Sequence, residues 1–163
     1  MKEAVIVSTA RTGMGKSFRG ALNDTEAPAM GGHAVKAAVE RAGIDPASVE
    51  DVIMGAAAQQ GTQSYNLGRL CSVAAGLPDT TAGMTMDRQC SSGLMSIAWA
   101  AKSIMCDEMD VAVAGGLESI SLVQTKHKNS YRNVSQTVTD IDPTAYIPMI
   151  ETAEIVSERY GIS

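Results

Sequence analysis

The chain is poor in aromatic side chains, with one Trp, one Phe and four Tyr among 163 residues. A core with so few rings has to be filled by small and branched aliphatic groups, so helices and strands must pack closely. Histidine is scarce too, with only His33 and His127. The three cysteines, Cys71, Cys90 and Cys106, form no C-x-x-C pair and no H-x-x-x-H exists, which excludes the usual spacings of a metal site. Positive charge is not in excess: 13 Lys and Arg against 18 Asp and Glu give a net charge of -5. That is no nucleic-acid footprint. No apolar run reaches membrane-spanning length. The first ten residues, "MKEAVIVSTA", include a Glu and too short an apolar stretch for a secretory signal. These absences lead us to expect a cytoplasmic protein with reduced thiols and with neither a nucleic-acid nor a membrane partner.

What the chain does have is ordered alternation. "EAVIVS" (3–8) reads as a strand buried on both faces. A Gly-rich polar loop follows. From Pro28 a helical period runs through Met30, Val35, Ala38, Val39 and Ala42, with Gly43 as its stop. A second strand is expected around Val52–Met54, a helix over Asn66–Ala75, and a third strand over 82–87. A helix over Ser91–Met105 and a fourth strand over 110–116 complete the series. The alternation β-α-β-α-β-α-β predicts an α/β layered domain. Residues 123–148 are polar and irregular, and 151–161 reads as a short helix closed by Gly161.

Several stretches carry candidate chemistry. "STARTGMGKS" has a Gly-Lys-Ser after a strand, but Ala10 stands where a phosphate loop needs its first glycine, so it reads as a surface loop. His33 and His127 could serve as a base, but each reads more simply as a surface or packing residue. Cys71 and Cys106 read as small buried or semi-buried residues. Cys90 differs, because it stands where a strand hands over to a helix. Helix N-termini carry unpaired N–H groups and a partial positive charge. They favour the thiolate and can stabilise an oxyanion on a bound carbonyl. Ser91, Ser92 and Gly93 keep the approach small. Behind them Leu94, Ile97, Ala98, Ala101, Ile104 and Met105 describe a helix expected to be buried nearly all round. Cys90 is therefore either a nucleophile or a core cysteine at a strand–helix junction.

The segment "DRQCSSGLMSI" (87–97) resembles the active-site segment of thiolases, the acetyl-CoA acetyltransferase and 3-ketoacyl-CoA thiolase family. "EAVIVSTARTGMGKSFRGAL", "NLGRLCSVAAGLP", "VAGGLESIS" and "ETAEIVSERYGIS" resemble further parts of that family, in order along the chain. The resemblance implies a thiolase-like layered α/β fold. Residues 1–121 would form an amino-terminal domain lacking its last strand, and 122–163 the beginning of a loop domain. It implies that Cys90 takes an acyl group from acyl-CoA as a thioester, with its backbone N–H in an oxyanion hole. The acyl group would then pass to acetyl-CoA or to CoA. It places Met149 near the substrate pocket. It implies no cofactor, coenzyme A thioesters being substrates, and a homodimer or homotetramer at full length. Two departures stand out: Asp87 where thiolases often carry Asn, and Ile150 where many carry Gly. By the same resemblance the base and the second catalytic Cys would lie beyond residue 163, so the chain is expected to be an amino-terminal portion. A ketoacyl-synthase-like condensing enzyme and a non-catalytic thiolase-like subunit are the alternatives.

Overall fold

The computed structural model describes residues 2–163. The chain forms two compact units, one running to Lys128 and one from Asn129 to Ser163. The first contains a parallel sheet of three strands in the order β2-β1-β3: β1 Asp51–Gly55, β2 Ala82–Met86 and β3 Ala112–Gly116. Val52 pairs with Gly83 on one side and with Val113 on the other. The chain steps from β1 to β2 and then back across β1 to β3. That reversal puts the two crossover helices on opposite faces of the sheet when both connections keep the usual right hand. The crossovers are α2, Leu67–Ala74, and α3, Ser92–Met105. The preceding helix, α1 Ala27–Ala42, packs beside α2.

The α1/α2 side is the aliphatic side. Val35, Val39, Val52, Met54, Leu67 and Cys71 form one buried cluster there. Gly31 and Gly32 let α1 lie directly against Cys71 and Ala74 of α2. The helix ends follow the sequence signals: Pro28 opens α1, and Gly43 closes it in the left-handed conformation (φ 66°). Asn66 caps α2, its side chain accepting from Arg69 N.

Two expectations are corrected here. Residues 3–8 form no strand, and Val5, Ile6 and Val7 are all more than 70% exposed. Apolar β-branched composition favours extended backbone, but a strand also needs a ladder partner, and no strand of the sheet pairs with this segment. Side chains tie it at its ends instead: Lys2 Nζ to Asp110 at 2.6 Å and to Asp107, and Arg41 to the Thr9 carbonyl at 3.0 Å. Second, α3 is not buried all round. It turns its small residues Ser92, Ser96, Ala100 and Ser103 inward and leaves Leu94, Ile97, Trp99 and Met105 outward, with Leu94 72% exposed. Small residues let the helix backbone settle close to the sheet. The Ser96 hydroxyl lies 2.6 Å from the Gly115 carbonyl and 2.7 Å from the Gly93 carbonyl, so its burial leaves no polar atom unpaired.

After β3 a single turn, α4 Ile120–Val123, ends the first unit's helices. In the second unit, α5 Gln136–Ile141 lies within the stretch that reads as irregular, and α6 Met149–Tyr160 closes on Gly161 at φ 63°. Among the described residues no helix is long and apolar enough to cross a membrane.

Two adjacent glycines of β3 should behave oppositely. A Cβ on Gly116 would stand 2.8 Å from Gly93 Cα, whereas one on Gly115 meets nothing within 4 Å. Gly116→Ala is expected to lower the urea-denaturation free energy by about 1–3 kcal/mol and Gly115→Ala to change it little. A second expectation concerns Asp51, which opens β1 half-buried with one carboxylate oxygen unpartnered. Burial pushes its carboxyl above the usual carboxylate range. The folded state therefore holds this proton more tightly than the unfolded chain, and the ionised group opposes folding at neutral pH. Asp51→Asn should raise the melting temperature at pH 7, with the gain shrinking as pH falls and Asp51 itself becomes protonated.

Candidate functional site

The three parallel strands end at Gly55, Met86 and Gly116, and the loops leaving them share one edge of the sheet, where α/β proteins place their sites. The loop after β2 carries Cys90. Asp87 Oδ1 accepts the Gln89 N–H at 2.6 Å. Ser92 Oγ accepts the Arg88 N–H at 2.8 Å and donates to the Gln89 carbonyl at 2.6 Å. Gln89 sits at φ 50°, the left-handed region that costs a non-glycine residue roughly 1–2 kcal/mol. The chain thus reverses sharply over residues 87–91, and Cys90 stands on the turn as a free, exposed thiol. Ser91 makes no side-chain cap at the N-terminus of α3; Ser91 N and Ser92 N instead donate to the Arg88 and Gln89 carbonyls at 3.1 and 3.0 Å, which closes the turn around Cys90.

Glycines seat that turn on the sheet. A side chain on Gly55 would collide with the Ser92 carbonyl and Gly93 N, and Gly116 touches Gly93. The first turn of α3 therefore rests backbone against backbone on the ends of β1 and β3. Two further bonds extend the ladder beyond the strands, from Ala56 N to the Met86 carbonyl at 3.0 Å and from Leu117 N to the Gly55 carbonyl at 3.1 Å. Glu118 then grips the loop after β1, accepting from Ala57 N at 2.9 Å, from Ala58 N at 3.2 Å and from the fully buried Gln63. Gln63 in turn accepts the Ser119 N–H. Sequence reasoning singled out neither Glu118 nor Gln63 for this work. The glycines at the strand ends were the available signal for the close contact.

The structure does not bring the histidines to Cys90 through the core. His33 is exposed on α1, on the side of the sheet opposite α3, and His127 is exposed in the loop after α4. Among the described residues no group of three His, Cys, Asp or Glu could hold a metal ion. Met149 is the first residue of α6 in the second unit and is exposed. A cleft of about 490 Å³ lies between residues 10–17, α1 and the end of β3, and Cys90 is not among its walls.

The three thiols differ sharply. Cys71 is fully buried, and burial pushes its thiol up to about 12. Cys106, expected to be buried or semi-buried, is exposed because it lies past the last turn of α3 rather than on its inward face. Ellman's reagent should therefore titrate the two exposed thiols of the native protein near neutral pH, and Cys71 only after denaturation. Prompt reaction of all three would contradict the packing of α1 on α2.

Comparison with known proteins agrees with this arrangement. Residues 4–163 match the family model "Thiolase, N-terminal domain". The chain is 41% identical over 163 residues to the 3-ketoacyl-CoA thiolase of Bacillus subtilis (strain 168), covering all of this chain and 41% of that protein. It is 39% identical over 174 residues to the acetyl-CoA acetyltransferase of Escherichia coli (strain K12), covering 44% of it. The crystal structure of the Bacillus anthracis acetyl-CoA acetyltransferase superposes over the whole chain and 43% of its own length, with a TM-score of 0.82 at 36% identity. The chain thus spans about two-fifths of the length of the curated relatives it matches. Its parallel sheet, its sequence and its superposition agree: the chain belongs to the thiolase family.

Proposed function

We propose that this chain supplies the acyl-accepting thiol of an acyl-CoA C-acyltransferase. The observation that carries the reading is Cys90, an exposed thiol raised on a strained turn at the N-terminus of α3. Cys90 Sγ attacks the carbonyl carbon of an acyl-CoA. The new Sγ–C bond forms as the C–S bond to CoA breaks, and CoA leaves as a thiol carrying the proton that Cys90 gave up. The negative charge that develops on the carbonyl oxygen is stabilised by the backbone N–H of Cys90 itself, just before the start of α3. The acyl group then passes either to acetyl-CoA in a Claisen condensation or back to CoA in thiolysis. Splitting the transfer through a covalent thioester replaces one difficult step by two easier ones.

Coenzyme A thioesters are the substrates in this reading, and no separate cofactor is required. The family resemblance assigns the base that activates Cys90, and the second cysteine that moves the substrate proton, to segments outside residues 1–163. Steady turnover therefore needs those segments. It also implies assembly into a homodimer or homotetramer at full length, with Met149 near the acyl pocket.

Incubation of the 163-residue protein with acetyl-CoA, followed by digestion and mass spectrometry, tests the reading. Cys90 should gain an acetyl group on the order of tenfold faster than Cys106, a difference of about 1.4 kcal/mol in barrier. Hydroxylamine should release the label, and Cys90→Ala should abolish it. Equal labelling of Cys106 would remove Cys90 from the role. Sustained cleavage of acetoacetyl-CoA by residues 1–163 alone would show that the remaining segments are not required.

A further inference from the structure

Asp87 occupies the base of the turn that carries Cys90. Its Oδ1 takes the Gln89 N–H at 2.6 Å and lies 3.5 Å from Ser92 Oγ, so it reaches both shoulders of the turn. Ser92 is buried, and it bonds Arg88 N and the Gln89 carbonyl. A left-handed Gln89 is unfavourable without compensation, and a bond to a charged acceptor is roughly twice as strong as a neutral one. An uncharged amide at position 87 could accept the same bond. A carboxylate adds a full negative charge three residues before a thiol that must meet an anionic thioester.

Two charged groups on the surrounding elements, Glu118 and Arg69, are occupied elsewhere, and a third, Arg88, is exposed beside Asp87. Glu118, after β3, is engaged by Ala57, Ala58 and Gln63. Arg69, on α2, bonds the Thr81 carbonyl and lies 3.5 Å from Asp79. Arg88 is exposed in the turn itself. Among the described residues none of these is hydrogen-bonded to Asp87.

We propose that Asp87 is a positioning residue for Cys90 with two separable contributions: its oxygen holds the turn through Gln89, and its charge restrains reaction of the thiol with anionic acyl donors. The proposal rests on the reading of Cys90 as the nucleophile and deepens it.

The test compares wild-type protein with Asp87→Asn and Asp87→Ala, each as the whole 163-residue chain. Cys90 is alkylated by neutral iodoacetamide and by anionic iodoacetate. In both reactions an Sγ–C bond forms and iodide leaves. Cys106 on the same molecule serves as the reference thiol. In Asp87→Asn the iodoacetate-to-iodoacetamide rate ratio at Cys90 should rise about threefold at low ionic strength, and the gain should fade in concentrated salt. The ratio divides out thiolate content and general opening of the fold, so a purely structural role would not move it. The ratio at Cys106 should stay constant. Asp87→Ala should show the same rise in ratio, with its iodoacetamide rate at Cys90 displaced at least twofold from that of Asp87→Asn because the turn has lost its acceptor. A misfolded Asp87→Ala beside a folded Asp87→Asn supports the acceptor role equally. An unchanged ratio in Asp87→Asn overturns the charge role, and identical iodoacetamide rates in the two variants overturn the acceptor role. Equal acetylation of Cys90 and Cys106 by acetyl-CoA in wild-type protein would reject the nucleophile reading while leaving the Asp87 ratios to be judged on their own.

Discussion

Backbone-to-backbone contact among Gly55, Gly93 and Gly116 is the constraint on which the arrangement around Cys90 depends. A helix normally stands off a sheet by the thickness of its side chains. Here the first turn of α3 sits directly on the carboxyl ends of β1 and β3, because neither Gly55 nor Gly116 carries a Cβ that would strike it. That closeness fixes where α3 begins. The chain must then turn sharply to enter the helix from β2, which leaves Gln89 left-handed and Cys90 outside the turn. The bonds from Asp87 and Ser92 hold that conformation. Glu118 holds the neighbouring loop and keeps the platform beneath it in place. Strain at one residue is offset by a network of ordinary hydrogen bonds around it.

The two faces of the sheet are filled on different principles. On the α1/α2 side, Val35, Val39, Val52 and Leu67 exclude water in the conventional way. On the α3 side, hydroxyls and small residues face the strands. Burial there removes less apolar surface from water but allows a closer approach. Rigidity at the site comes from backbone contact and satisfied hydroxyls rather than from aliphatic bulk.

Much of this was legible in the sequence. The ends of α1, α2 and α6 were marked by Pro28 and Gly43, by Asn66 and by Gly161, because caps are local chemistry. The position of Cys90 between a strand and a helix was legible for the same reason. The failures share a different cause. Residues 3–8 have the composition of a strand, but pairing depends on a distant partner that composition does not specify. The burial of α3 was misread because its apolar residues suggested a helix covered on every side, whereas Ser96 takes the inward place beside the Gly115 carbonyl and Leu94 is left outside. Glu118 and Gln63 were likewise invisible, since their partners lie 55 to 61 positions away along the chain.

The outward face of α3 has a spectroscopic consequence. Trp99, the single tryptophan of the chain, stands there 45% exposed, close in sequence to Leu94 and Ile97. Indole emission shifts to shorter wavelength when water leaves its surroundings. The colour of this protein's fluorescence is therefore a gauge of one helix surface alone. Anything that covers that surface would announce itself in the emission maximum without a label being attached.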